Sequence, residues 1–527
     1  MSDDDPGPNT DGADAAGGTA EPGAAAGAPR PEPSRAHADD HSPVRNFYLA
    51  GTLAVLSTIA LVVLTGWALT TPVDDPPGTL RVLTGNDASK APVLYQELIE
   101  AWNAENEEYP AELVEVSAGA DMQHAEMVRS TQGGAAAYDV INLDNQWIAE
   151  FARAERITPL SKAGGGSAGE GFLDSTIEAV EYNGEQWAVP FVADVGLLYF
   201  RSDLVDRADL EGKDWPEVYE TLRDTAREHG DEVDHAYAGQ FARYEGLTVN
   251  AMEFAWGESA AAGARSGGLV DGDGGVGLGA EPVRRGLRRI AEGLNDGTLP
   301  ANSLTAQETA ARQSFVDGDV LAMRNWPVQY DQLLSATAEE DRTRDPEGVA
   351  AHAGSGRPGA DIEFGVMALP DGMSVLGGQS LAIAEGSPRQ RKARDLIEFL
   401  TRPEHQRRLF HCGGYAPTRA GGYSGSVEGA CPGVPGSAGG RSDIEDKYDG
   451  DRGDTRYVPR LRDAIEAARP RPVTPNYAMF TDAFTGGFHP VLAEHASAAE
   501  FDAELFDAQL DELRPPLRSA LDGQGPP

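Results

Sequence analysis

From Leu80 onward, short apolar runs alternate with amphipathic stretches, and that alternation leaves the chain few architectures. LRVLTG (80–85) reads as a buried strand closed by the turn-former Gly85. PVLYQELIEAWNAENE (92–107) follows with Leu94, Leu98 and Trp102 at helical spacing. AELVEVSA is a second strand, residues 121–131 a second helix, and YDVINLD a third strand running into the helix QWIAEFARAE. Strand–helix units in series predict an open parallel sheet with helices on its faces. In such sheets ligands collect beyond the carboxyl ends of the strands. Asn86, Asp87, Asp144 and Asn145 fall at such ends, where each can serve as a helix cap or as a ligand contact.

QWAVPFVADVGLLYFRSDLV (186–205) then reads as strand, short crossing and strand, opening a second α/β set from about 195 to 362. FGVMALP and LGGQSLAIAEGS are further strands, and 389–410 is expected to be one long amphipathic helix with Ala393, Leu396, Ile397, Leu400 and Leu409 inward. From Tyr457 the chain is helical again, interrupted by RPRPVTPNY. SGGLVDGDGGVGLGAEP invites a calcium-loop reading through Asp271 and Asp273, but Gly275 takes the next ligand position and Val276 the obligatory glycine position. A turn between two short strands is expected there instead.

Upstream of Leu80 the chemistry changes. Residues 1–45 are mostly Ala, Gly, Pro and Asp with almost no large apolar side chain, a composition that predicts a disordered tail. Phe47 to Leu69 then runs without a charge, long enough to span a hydrocarbon layer as a helix, assigned to 46–71. Arg45, Arg35 and Arg30 precede it and Asp74 and Asp75 follow it, which places the tail in the cytoplasm and the bulk outside the cell. Tyr48 and Trp67 lie near its ends, as interfacial aromatics do. The long leading tail favours an uncleaved anchor; a cleaved secretory signal is the competing reading. No cysteine lies near residue 70 to carry a lipid, and 72–79 reads as a Pro-containing linker.

The chain has 85 acidic against 43 basic residues, a formal net charge of −42, so a phosphate backbone is repelled and nucleic acid is not an expected partner. HExxH and GxxxxGK[ST] are absent from the sequence, and Cys412 and Cys431 form no CxxC. His489 and His495 have no third histidine or cysteine beside them. No enzyme, cofactor or metal site is therefore expected. Aromatic–polar clusters recur instead. Tyr244 to Trp256 reads as a helix entered through Gly246 that mixes flat rings (Tyr244, Trp256) with planar hydrogen-bonding groups (Glu245, Asn250, Glu253). That mixture suits a sugar, which offers an apolar face and a rim of hydroxyls; a helix with aromatics in the core is the plainer reading. In MRNWPVQY the proline holds Trp326 extended, in a loop or as core filling. In YAPTR, Arg419 follows a Pro-fixed turn and can serve a ligand or a surface salt bridge.

DVINLDNQWIAEFA, VPFVADVGLLYFRSDL, YEGLTVNAMEFAWG, MRNWP, GGQSLAI, IEFLTRPEHQRRLF and GGYAPTR follow one another in a family's order and approximate spacing. Over roughly residues 80–515 the chain resembles the extracellular solute-binding proteins of carbohydrate ABC importers, of the maltose- and trehalose-binding type. The resemblance implies a two-lobed α/β, periplasmic-binding-protein-like fold (type II) with the ligand cleft between lobes. Lobe 1 would hold 80–191 and 365–415, and lobe 2 would hold 192–364 and 416–527. By motif position it implies ligand contacts from Asp144, Asp194, Glu245, Asn250, Trp256, Trp326, Gly377, Gly378 and Arg419. The acids and the arginine would bond sugar hydroxyls, the tryptophans stack, and the glycines let backbone approach closely. Gln379 stands where many relatives carry an aromatic, and Val192 where some carry a tyrosine.

Within that resemblance a Cys412–Cys431 disulfide fits an extracellular location, and closing a loop of about 20 residues contributes about 3 kcal/mol. It would also hold Arg419. The function implied is a membrane-anchored receptor that captures a sugar or oligosaccharide and delivers it to ABC permease subunits. A membrane-tethered sugar sensor acting through a signalling partner is the alternative.

Overall fold

The computed structural model describes residues 52–59, 61 and 75–524, apart from 86–90, 117–118, 133–136, 164–168, 265–266, 337–361, 433–439 and 449–455. The chain divides into two units, 1–74 and 75–527. In the first, residues 52–59 are helical and expose Leu53, Val55, Leu56 and Ile59. The 1–45 tail, most of the apolar run 47–69, Asn86 and Asp87 lie outside the described residues. Among the described residues no helix is long and apolar enough to cross a membrane.

The second unit opens with β1 (Leu80–Gly85), α1 (Ala91–Glu105), β2 (Ala111–Val116), α2 (Ala120–Ser130), β3 (Val140–Asp144) and, after a 3-10 turn, α3 (Ile148–Arg153). β4 (Ile157–Thr158) and the small hairpin of β5 (Glu181–Tyr182) and β6 (Glu185–Gln186) lead to β7 (Val189–Val195). β1 pairs in parallel with β2 and β3, as strand–helix alternation predicts, but β12 (Val375–Ala384) runs antiparallel to β3 and β7, so the sheet is mixed and not wholly parallel as expected. Next come β8 (Leu197–Arg201), α4 (Trp215–Glu228), β9 (His235–Ala238), α5 (Glu245–Ala261), α6 (Glu281–Asp296) and β10 (Val320–Asn325). β11 (Phe364–Ala368), β12 (Val375–Ala384), α7 (Gln390–Leu400), α8 (Pro403–Gly413) and β13 (Ala416–Pro417) follow. The chain ends through β14 (Ser426–Glu428), β15 (Arg441–Asp443), a helix Tyr457–Ala467, β16 (Arg469–Pro470), α9 (Tyr477–Ser497) and α10 (Ala503–Leu521).

Two sheets result. One runs β13-β7-β12-β3-β1-β2, with β4 and β16 pairing the ends of β12; the other runs β11-β8-β10-β9. Each sheet with its helices is a lobe. The chain passes between them at Gly196, at 369–374 and at 471–476. These crossings correct the expected boundaries. β7 reaches Val195 inside the first sheet, and β11 lies in the second sheet against β8, so lobe 1 resumes at β12 rather than at 365. β13 pairs with β7, so 416 onward does not begin lobe 2; α9, packed on α5 and α6, is where the chain returns there.

Local chemistry accounts for the elements that position the cleft. α4 starts with a capping box, Asp214 accepting from Glu217 N while Glu217 reaches back to Asp214 N, a device worth about 1 kcal/mol. Its buried face is Trp215, Val218, Tyr219, Leu222 and Ala226, at helical spacing, and each large side chain there contributes about 1.5–3 kcal/mol. α5 differs: Gly246 through Ser259 are all buried, so it is a core helix wrapped on every side. The single helix expected over 389–410 is two, because Pro403 occupies the first turn of α8 and lacks the N–H that a continuous helix needs. The Asp271–Val276 loop is a turn as expected, with Val270 and Val276 bridged and the Asp271 carboxylate accepting from Asp273 N and Gly275 N. The expected linker shortens, since from Asp75 it is bound to lobe 1. Tyr109 donates to Asp75 O at 2.7 Å, Lys392 N to the Asp75 carboxylate at 2.8 Å, and Arg389 to Pro76 O at 3.1 Å.

Candidate functional site

β12 lies between β7 and β3, and its register sets the inner wall of the space between lobes. Gly377 faces Asp194 and Gln379 faces Asp144. Gly378 has φ 108°, and a Cβ there would stand 2.2 Å from Val192 O, so both conformation and space demand glycine. Asn145 donates to Gly377 O at 3.2 Å and accepts from Ser380 at 2.6 Å, which binds the turn after β3 to this wall. A Cβ on Gly377 would stand 3.2 Å from Asp194 Cβ and 3.5 Å from the Trp326 ring, so Asp194, Gly377 and Trp326 are neighbours.

Trp326 is half-buried at the end of β10. Its ring lies 3.7 Å over the Arg324 guanidinium, and its Nε1 donates to Glu308 at 3.3 Å. Tyr244 donates to the same Glu308 oxygen at 2.9 Å. Arg324 is fully buried and paired bidentately with Glu253, at 2.8 Å through Nε and 2.8 Å through Nη2. Glu253 also accepts from Val375 N at 3.0 Å, and Ser374 donates to Gly196 O at 2.7 Å. The buried ion pair thus sits where two of the crossings pass each other.

The third crossing carries Arg471. It donates to Asp144 Oδ1 at 2.6 Å, to Glu245 Oε1 at 3.1 Å and to Gln146 Oε1. Tyr477 donates to Glu245 Oε1 at 2.8 Å. Burial raises the Asp144 carboxyl above its ordinary value; Arg471 pulls the other way and the Glu245 charge adds to the rise. Burial opposes the charge on Arg471, but Asp144 and Glu245 outweigh it and hold its proton more firmly than usual.

Outside this cluster a cleft of about 360 Å³ is lined from both lobes. Lobe 1 contributes Asp121, His124, Gln146 and Trp147; lobe 2 contributes Tyr244 and Glu245 at the start of α5 and Thr481 and Asp482 on α9. Partial removal from water, and then the charges of Glu245 and Asp482, raise the Asp121 carboxyl. His124 is turned to Glu150 at 2.7 Å. Among the described residues no cluster of His, Cys, Asp and Glu has the arrangement of a metal site. The cleft offers carboxylate oxygens, hydroxyls and aromatic side chains together with the Arg243 guanidinium, a set that can both accept from and donate to a polar solute.

The structure brings Asp194, Gly377, Gly378 and Trp326 together and sets Asp144 and Glu245 across Arg471. It places the other expected residues elsewhere. Asn250 is 1 % exposed, with both amide hydrogens on Gln240 Oε1 and Gly246 O, so it braces the helix start from within the core. Trp256 is 9 % exposed and belongs to the lobe 2 core. Arg419 faces a separate groove with Trp102, Glu398 and Arg402; it donates to Glu170 O at 2.7 Å and lies 3.7 Å over Phe172. Gln379 accepts from Asn142 at 2.8 Å, and Val192 is buried. Cys412 and Cys431 are joined by a disulfide. Sequence reasoning missed Arg471, Gln146, Asp121, Asp482 and Tyr477. For Arg471 a signal existed: an arginine between two prolines in a segment joining a strand to a helix.

Two α/β lobes joined by three crossings, with polar side chains of both facing one cleft, define a hinged ligand-binding protein. The chain belongs to the bacterial extracellular solute-binding protein family, whose model matches residues 97–427. It is a binding protein and not an enzyme. It is similar to a probable ABC transporter-binding protein of Deinococcus radiodurans, 27% identical over 319 residues that cover 58% of this chain and 69% of that one. Among solved structures it is similar to maltose-bound T. maritima MalE3, at 24% identity and TM-score 0.61, covering 82% of this chain and 98% of that one. The GacH receptor of Streptomyces glaucescens, solved unliganded and with acarbose, matches at 19% identity and TM-score 0.59 over 85% of this chain and 99% of its own. UgpB from Mycobacterium tuberculosis, in complex with glycerophosphocholine, matches at 16% identity and TM-score 0.60 over 85% and 99%. These likenesses establish the fold.

Proposed function

We propose that this protein is a membrane-tethered receptor that captures a sugar or oligosaccharide between its lobes and delivers it to the permease of an ABC importer. The observation that carries the reading is the convergence of Asp121, Trp147, Tyr244, Glu245 and Asp482 from both lobes on one cleft, with Asp144, Asp194 and Trp326 at the inner wall. Carboxylates accept from hydroxyls and rings cover the apolar faces of a pyranose. Neighbours solved with maltose and acarbose support a sugar; the neighbour solved with glycerophosphocholine supplies the main competitor. In this reading Asn250 and Trp256 support the site from the core, and Arg419 takes no part in it. Ligand binding shifts the population toward closed lobes, which is the state an importer would read. The uncharged run 47–69 supports the tether.

The test is calorimetry on residues 75–527, a unit of its own, with mono- and disaccharides, acarbose and glycerophosphocholine. Heat from at least one sugar and none from glycerophosphocholine is expected; the reverse pattern sinks the sugar assignment. For the tether, the full chain should stay with membranes after an alkaline carbonate wash, and its release would remove the anchor from the reading. Nothing among the described residues favours a sensor.

A further inference from the structure

Asp144 and Glu245 belong to different lobes, yet the same side chain holds both. Arg471 is 6 % exposed and sits on the third crossing, between β16 in the first sheet and α9 in the second lobe. Its guanidinium takes one oxygen from each acid, Asp144 Oδ1 and Glu245 Oε1, and Gln146 and Tyr477 brace the two ends. Arg471 leaves Asp144 Oδ2 and Glu245 Oε2 outside its grip, and the two side chains are 26% and 11% exposed. A planar fork with fixed donors suits this task better than a point charge. Without it, two like charges would face each other across the gap.

We propose that Arg471 is the positioning residue of the cleft: by gripping one oxygen of an acid from each lobe, it fixes the apposition of the lobes before ligand arrives. The second oxygen of each acid stays outside the grip and can act as an acceptor. That these acceptors meet a sugar rests on the receptor reading above; the grip itself does not.

The test is therefore ligand-free. Both native cysteines are bonded to each other, so spin labels can be placed through Glu112→Cys in lobe 1 and Asp224→Cys in lobe 2, whose side chains are 54% and 66% exposed. Pulsed electron resonance on the full chain in detergent reads the interlobe distance. Arg471→Met should shift the distribution to longer distances and broaden it, with Arg471→Lys between it and the wild type. Glu245→Gln removes one partner and should broaden it less. A folded Arg471→Met protein with the wild-type distribution overturns the proposal. If that variant fails to fold, an unchanged Glu245→Gln distribution does so instead. Failure of every solute in calorimetry would sink the receptor reading and leave this result standing.

Discussion

Arg324 is fully buried, and such a charge is tolerable only with a partner that meets its fork. Glu253 does so with both oxygens. Removing that charge with Glu253→Gln is expected to cost about 3–5 kcal/mol, read as a drop in the urea midpoint. A loss under about 1 kcal/mol would mean that Gln240 and Trp326 suffice for Arg324. The two tryptophans separate in the same way. Trp256→Ala should cost about 3–5 kcal/mol in stability, because the ring fills the lobe 2 core. Trp326→Ala, at the half-buried inner wall, should weaken binding of whichever solute gives heat while unfolding shifts less. Sequence could name both rings but not divide their labour. Helical spacing around Trp256 is the same for a core face and a cleft face, and only the packing of α5 on every side decides it.

The positions of the strands along the chain were legible because apolar runs bounded by turns report burial directly: β1, β3, β7, β8 and β12 lie where LRVLTG, YDVINLD, the VPFVADVGLLYFR pair and LGGQSLAIA predicted them. The crossings were less so. The first is legible within 186–205, but the second is expected near 365 and the third near 416, whereas they lie at 369–374 and 471–476, where a crossing is only a few residues of connecting chain. α7 and α8 were merged because both carry their apolar side chains on a continuing stripe, and Pro403 sits where a helix can as well begin as break. Arg471 was hidden by the same prolines that mark it, since a Pro-rich interruption reads as a connector. The disulfide belongs at this scale. Cys412 lies in the last turn of α8 and Cys431 closes a 19-residue separation, so reduction is expected to remove about 3 kcal/mol. Differential scanning calorimetry with and without reductant should show that loss. Affinity should hold steady, because Arg419, inside the loop, faces the outer groove and not the cleft.

Across the whole molecule, closure must be absorbed at the crossings. At Gly196 a Cβ would stand 2.3 Å from Glu253 Oε1 and 2.9 Å from Arg324, so Gly196→Val should both destabilise the protein and abolish the fall in scattering radius on adding an active solute. A variant that still contracts would place the hinge elsewhere. Acid should loosen the assembly at a second junction, where Lys447 joins Asp331 to the backbone of His411. Burial and the Lys447 charge lower the His411 imidazole from 6.5 to about 4. The unfolded chain therefore binds the proton first, and stability is full above about 6.5 and declines as pH falls toward about 4. His411→Gln should flatten that part of the urea-midpoint profile; parallel profiles would show that other groups govern it.

The residues from Asp75 to Gly78 are strapped to lobe 1 by Tyr109, Lys392, Arg389 and Glu108. A pull on the chain at Asp75 would therefore load lobe 1 first and reach lobe 2 through the three crossings.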